Sequence, residues 1–303
     1  MKEKVKKLIL GKSLREKQLR TAYLFIAPCI AYFFLIFIAQ IPHILYLSFH
    51  AFFGLDFSKY VGLSQFLGIL QEKLFWASMW NTLYFSCLSI PSVLGLSLGI
   101  ALLIHYIKTR IIKDFFKALY FLPTVCSLVA AALIWSWIYE PNIGLLNNLF
   151  LKIGLLPQTW LHNPYLVIPS LVIMNVWVRL GLGMIIFVAG LESIPAVYYE
   201  AARIDGANRL QQFLRITLPL LNPQIMLVLI LETIFTLQIF DLPYVATEGG
   251  PANASRTIVL HLYQTAFKWN RPGKASAISL YLFAMILILT VVQWKISRKR
   301  VMY

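Results

Sequence analysis

The sequence predicts an all-α polytopic membrane protein with six transmembrane helices, and three observations predict it. Of the 303 residues, 59% are hydrophobic and 13% charged, and a mean hydropathy of +0.73 is too high for a soluble domain. Six apolar stretches lie at about 22–42, 79–104, 118–138, 166–191, 220–243 and 275–294, near the length of about 20 residues that a spanning helix needs. The third is the placement of the 27 Lys and Arg. Nineteen fall at the two ends and in 105–117 and 192–216, against seven in 43–77, 139–164 and 246–274. That alternation predicts both termini on the cytoplasmic side, N-in and C-in. It also explains the formal charge of +15 by topology, so no nucleic-acid partner is expected.

The elements follow in order. Residues 1–20 form a basic cytoplasmic segment carrying Lys2, Lys4, Lys6, Lys7, Lys12, Arg15, Lys17 and Arg20; residues 21–303 form the six-helix domain. The first apolar run is longer than the core of a signal peptide and lacks a small-residue cleavage site, so it is an uncleaved first span. A polar and aromatic connection with Asp56, Lys59, Glu72 and Lys73 leads to the second span. Lys108, Arg110, Lys113 and Lys117 precede the third. Pro141-Asn142, Gly144, Asn147-Asn148 and Asn163-Pro164 mark turns before the fourth. The fifth and sixth spans flank a polar segment at 246–273, and Lys295, Arg298, Lys299 and Arg300 close the chain. Cys29, Cys87 and Cys126 lie in or beside apolar runs without CxxC or His partners, and read as buried thiols rather than a disulfide or metal site. Trp135, Trp137, Trp160 and Trp269 read as interface anchors.

The segment 195–219 is the longest charged and small-residue interlude in the second half. Pro195 suits the first turn of a helix and Gly206 its stop, with a second short helix from about Arg209, ended or kinked by Pro219. Tyr199, Ala202 and Arg203 can share one face, and Ala201-Ala202 lets another surface approach closely. Two short helices with a glycine elbow at the end of membrane spans make a rigid docking knob.

Glu200-Ala201-Ala202, Asp205-Gly206-Ala207 and Ile216-Thr217-Leu218-Pro219 resemble the "EAA" loop of permease subunits of binding-protein-dependent ABC importers, in the form seen in the maltose and glycerol-phosphate branch. A second series resembles the external loop of the same branch: Thr247 to Pro251, Thr257, Tyr263 to Phe267 and Gly273 to Ala277. The resemblance covers about 20–300 and implies a type I ABC importer permease fold. It implies that Glu200, Ala201, Ala202, Asp205, Gly206 and Pro219 couple to a separate ATPase, with Glu200 pairing a basic residue there and Gly206 at the elbow. It further implies a second permease chain, usually a different one, an ATP-binding-cassette ATPase dimer holding ATP and Mg, an extracytoplasmic solute-binding protein, and a bacterial or archaeal inner membrane.

Polar groups inside spans are costly, about 2.5–3.5 kcal/mol for a charge at a helix centre, and so mark a lined cavity. The fourth span carries Asn175, Trp177 and Arg179; the fifth carries Glu232, Phe235, Thr236 and Gln238, with Asp241 near its end. Glu232, Phe235, Thr236 and Ile239 are spaced as one helix face. Aromatic rings for a sugar's apolar face and polar groups for its hydroxyls make Asn175, Trp177, Arg179, Glu232, Phe235 and Thr236 the candidate lining. In the maltose permease the equivalent helices line the sugar, although Arg179 and Glu232 depart from the small residues there. An ion pair between those two is the competing reading. Arg179 argues for an anionic ligand and Glu232 offsets it, which leaves a neutral sugar as the better fit.

No G-x-x-x-x-G-K-[ST] phosphate loop occurs, so the chain is expected to be no enzyme and to bind no cofactor itself. The alternative is a secondary transporter using Glu232 and Asp241 as coupling carboxylates. An intramembrane enzyme would need a HExxH, GxSxG or paired-aspartate motif, and none is found.

Overall fold

The structure, a computed structural model, describes residues 2–53 and 57–298, with side chains described at 17–52 and 59–296. Asp56, Lys299 and Arg300, and the side chains of Arg298 and of the basic residues at 2–15, lie outside the described residues.

The chain opens with α1 (Lys2–Phe33), a π turn (Phe34–Ile38) and α2 (Gln40–Ser48), which together give one apolar stretch, Lys17–Ser48. A small antiparallel hairpin, β1 (His50–Phe53) and β2 (Phe57–Tyr60), pairs His50 with Tyr60, and α3 (Ser64–Leu70) leads on from it. Three further helices are long and apolar enough to cross a membrane: α4 (Lys73–His105), α8 (Val167–Ser193) and α15 (Pro272–Arg298). Two bent pairs are apolar enough to make up to two more if each is taken as one span. These are α5 (Arg110–Val125) with α6 (Leu128–Ile138), at 97°, and the Arg209–Leu220 segment with α12 (Asn222–Leu237), at 64°.

The bend at Cys126 breaks a stretch read as continuous in the sequence, the bend at Leu221 falls where Pro219 was expected to end or kink the helix from Arg209, and local chemistry accounts for both. Pro123 withholds a backbone donor in the last turn of α5, Cys126 and Ser127 are extended, and Ser127 Oγ caps α6 by accepting from Ala130 N at 3.2 Å. Pro219 and Pro223 flank the turn at Leu221. The fifth stretch also stops early: α12 ends at Leu237 and α13 (Asp241–Thr247) starts after a break. The helical face expected to run from Glu232 to Ile239 therefore ends before Ile239. Thr257 Oγ1 donates to the Ile239 carbonyl at 2.9 Å, so that broken backbone is satisfied by the loop above it.

The middle of the fold is α4 against α8. One face of α4 is small and buried, with Ser78, Thr82, Ser86, Ser89, Ser97 and Ala101, which lets α8 approach closely. Ser97 Oγ donates to the Leu180 carbonyl at 3.0 Å, and Thr124 Oγ1 of α5 to the Val178 carbonyl at 2.8 Å. Gly181 fits only because it has no side chain: a Cβ would stand 2.5 Å from the Tyr120 carbonyl oxygen and 2.6 Å from Thr124 Oγ1. Phe85, Val93, Ala132, Tyr139, Leu171 and Met174 fill the core on one side of this contact, and Ala101, Ile104, Met184, Phe187 and Val228 fill the other. The cysteines, expected to be buried, are exposed on this chain. Cys29 and Cys87 stand on helix faces turned outward and Cys126 in the break after α5, none of them in a core.

The turn-rich connection contains α7 (Leu145–Lys152) and is organised by buried Asn147. Its Nδ2 donates to the carbonyls of Pro141 and Gln158, both at 2.9 Å, and its Oδ1 accepts from Gln158 N at 3.0 Å and Trp160 Nε1 at 2.9 Å. Trp160 is thus held in place by a side chain of the same connection. Asn147→Ala strands all four groups, at about 1–3 kcal/mol for each that stays dry. A lower thermal midpoint of the purified protein is the expected result; an unchanged midpoint would show that the four groups find other partners.

Candidate functional site

The segment 195–219 forms two short helices around a rigid elbow. Pro195 sits at the N-cap of α9 (Ala196–Ile204) with φ −62° and ψ 134°. At the other end, Gly206 N–H donates to Arg203 O at 3.1 Å and Ala207 N–H to Ala202 O at 2.8 Å, with Gly206 at φ +79°. That is the Schellman arrangement, in which glycine alone adopts the left-handed conformation without strain. Asn208 and Gln211 form a capping box that starts α10 (Arg209–Gln212); a π turn (Phe213–Thr217) and α11 (Leu218–Leu220) follow. Tyr199 Oη lies 3.0 Å from Thr217 Oγ1 and pins the first helix to the second. The inner face of the knob closes a cavity of about 820 Å³ against the end of α4, with Lys108, Arg203 and Arg209 in its wall.

The outer face is open. Glu200, Ala201, Asp205, Gly206 and Pro219 are exposed and Ala202 is half-buried. Glu200 and Asp205 make no ion pair among the described residues, and Val197 and Ile204 are 69% and 87% exposed beside them. A carboxylate amid bare apolar residues on a braced helix has the composition of a docking surface. Glu192, just before the knob, is held by Lys113 at 2.6 Å and Lys117 at 3.2 Å, which fastens α5 to the end of α8.

Within the spans the six candidate lining residues divide. Arg179, Glu232 and Phe235 come together: Arg179 Nε donates to Glu232 Oε1 at 3.3 Å, and the guanidinium carbon is 3.5 Å from the Phe235 ring centroid. The other three point elsewhere. Asn175 Nδ2 donates to Ser89 Oγ of α4 at 2.7 Å, Thr236 Oγ1 donates to the Glu232 carbonyl at 2.7 Å, and both residues are buried. Trp177 is half-buried, edge-on to Trp135 with centroids 6.0 Å apart. Asp241 begins α13, beyond the break. The sequence reading missed Gln293 of α15, whose Nε2 donates to Thr233 Oγ1 at 2.7 Å; a lone amide in the sixth apolar stretch was the available signal.

The second loop is tied to α4 by polar contacts, one of them buried. Asn81 Nδ2 of α4 donates to the carbonyls of Asn253 and Arg256 at 2.9 and 3.0 Å, and Ile258 N at the start of α14 (Ile258–Tyr263) donates to Thr82 Oγ1 at 2.8 Å. His261 of α14 is fully buried. Burial first, and then the charge of Arg256, push its imidazole down to about 4, Lys274 adding to the effect and Glu72 opposing it. The unfolded ring binds its proton near pH 6.5 and the folded ring only near 4, so stability is retained above 6.5 and lost as pH falls toward 4. The thermal midpoint is expected to drop over that window, and His261→Asn to flatten the drop. A wild-type midpoint that is level from pH 7 to 4 would sink this account.

The description "Binding-protein-dependent transport system inner membrane component" matches residues 61–301. The chain belongs to that family. It is 33% identical over 294 residues to the trehalose/maltose transport system permease protein of Thermococcus litoralis, covering 96% of this chain and 98% of the relative. It is 32% identical over 279 residues to the arabinooligosaccharides transport system permease protein of Bacillus subtilis (91% and 88%), and 29% over 284 residues to the sulfoquinovosyl glycerol transport system permease protein of Agrobacterium fabrum (92% and 91%). In fold it is similar to a chain of a bacterial ABC transporter involved in import of the acidic polysaccharide alginate, at TM-score 0.83 and 24% identity over 97% of this chain and 99% of that one. The expected permease family and its inner-membrane location are thereby established.

Proposed function

We propose that this chain is the membrane-spanning permease subunit of an ATP-driven ABC importer that carries a sugar or sugar-like solute into the cytoplasm by alternating access. Six spans place both termini and the segment 195–219 on the cytoplasmic side. There α9 docks on a separate ATPase dimer, which holds ATP and Mg, and Glu200 meets a basic residue of that partner. A second permease chain completes the membrane path, and an extracytoplasmic solute-binding protein delivers the solute.

The single observation that carries the reading is the exposed Glu200, without an ion pair among the described residues, on a helix braced by the Gly206 elbow and the Tyr199–Thr217 contact. Rigidity lets a push on α9 reach α8 and α12, the two helices it connects. Sugar as cargo is supported by the substrates named for the relatives, and by the aromatic and polar groups on α8 and α12. The alternative, ion-driven transport through Glu232 and Asp241, is less well supported: Glu232 faces Arg179, and Asp241 stands on a different helix. The test is uptake of a labelled sugar panel into vesicles holding this chain with its partner subunits. ATP-dependent uptake supports the proposal; uptake by this chain alone, driven by an ion gradient, overturns it.

A further inference from the structure

We propose that the Arg179–Glu232 pair is a hydroxyl-recognising element that restricts the solute to uncharged polyols and glycosides. This rests on the reading that the α8 and α12 face lines the transport path.

Three features carry the inference. The pair joins through Arg179 Nε and Glu232 Oε1 alone, 3.3 Å apart. Arg179 Nη2 and Glu232 Oε2 are both buried and have no hydrogen-bond partner among the described residues. Beside them is an aromatic surface: the Phe235 ring is 43% exposed and covers one face of the guanidinium. A pair whose only task was to join two helices would be expected to bond through both prongs, because an enclosed charged atom without a partner is expensive. What the pair leaves over in its enclosed part is the charged Nη2 donor group and the charged Oε2 acceptor.

A hydroxyl is the group that matches them. It accepts from Nη2 through a lone pair and donates its proton to Oε2, satisfying both at once. A carboxylate, sulfonate or phosphate only accepts. It would gain Nη2 and be repelled by Oε2, and the net charge of the pair gives it no compensation. The sugar's apolar face has Phe235 to lie against, as a ring with hydroxyls at its edge requires. Both atoms are enclosed, so the proposal requires the half-exposed Phe235 ring to turn aside before a solute can reach them. The relatives' names include both neutral and acidic saccharides, so charge class is a property each member must set for itself.

The test is saturation-transfer NMR on the purified assembly of this chain with its partner permease and ATPase, without the solute-binding protein, so that selectivity upstream does not enter. The probes are methyl glucoside and methyl glucuronate. Wild type is expected to favour the glucoside. Glu232→Gln leaves the Arg179 charge uncompensated and is expected to move the glucuronate-to-glucoside ratio by at least about tenfold toward the acid, the scale of one charge acting at close range in a partly dry site. Arg179→Gln/Glu232→Gln restores neutrality and is expected to return the ratio to the neutral sugar, which separates charge from damaged packing. Wild-type preference for glucuronate, or a Glu232→Gln ratio that stays put while the substitution changes the saturation transfer of both probes, overturns the proposal. Saturation transfer that none of the α8 and α12 substitutions alters overturns the underlying reading instead, by showing that the sugar binds elsewhere.

Discussion

Glu200→Ala is expected to abolish nearly all ATP-driven uptake while leaving the chain folded in the membrane. The side chain is exposed and makes no ion pair among the described residues, so its removal takes nothing from the fold. Its effect is confined to a docked partner. Truncating one member of a desolvated ion pair at an interface typically costs about 2–5 kcal/mol, which is roughly 30-fold or more in affinity. Deleting 200–206 removes the Schellman elbow as well and is expected to be at least as severe. The measurement is initial uptake rate alongside co-purification of the ATPase with the permease. Loss of both places the effect at the docking surface. Full uptake with Glu200→Ala would mean that this carboxylate transmits nothing, and Asp205 with the bare Ile204 would become the next contact to test.

Gly181→Val is expected to be the most damaging single substitution in the membrane core. The new Cβ would stand 2.5 Å from the Tyr120 carbonyl oxygen and 2.8 Å from the Phe121 Cα, and both of those atoms belong to backbone that cannot rotate away. Overpacking of this kind costs about 1–3 kcal/mol where neighbours adapt, and more where they do not. Separating α5 from α8 also breaks the Thr124–Val178 hydrogen bond. Gly190→Ala is the appropriate control. Its Cβ comes within 2.7 Å of Gln224 Cγ and Leu221 Cδ2, which are side-chain atoms with room to turn. Folded yield and thermal midpoint should therefore fall steeply for Gly181→Val and modestly for Gly190→Ala. Equal effects would contradict the close approach of α5 to α8.

Much of this was legible from sequence for an identifiable reason. Hydropathy reports length and apolarity, and the apolar stretches at 79–104 and 166–191 are the centres of α4 and α8. The elbow was legible because Gly206 is chemically singular: few other residues accept φ near +79°. Breaks within apolar runs were hidden because hydropathy is blind to hydrogen bonding. The Ser127 cap carried the information, but a cap inside an apolar run is easily taken for a small residue in a span, whereas Pro219 marked the bend at Leu221 openly. The site was half legible. Arg179, Glu232 and Phe235 were singled out and do meet; Asn175 and Thr236 were singled out for the same polar character and instead bond within the bundle. Residue type says that a polar group in a span needs a partner, but not whether that partner is a cargo or a neighbouring helix.

The packing of α15 on α2 sets an order on how this chain is made. The apolar stretch Lys17–Ser48 buries none of its most hydrophobic window within the chain, and its α2 end leans on α15. The seam is tight: a Cβ on Gly273 would collide with the His50 carbonyl, and Lys274 pairs with Glu72. About 220 residues separate the two sides of that seam. At ribosomal rates of about 5–20 residues per second, the first helix waits on the order of ten to fifty seconds in the bilayer before its own neighbour exists. During biogenesis the Lys17–Ser48 stretch therefore waits without the helix it packs on, and synthesis of 272–298 is what supplies that seam.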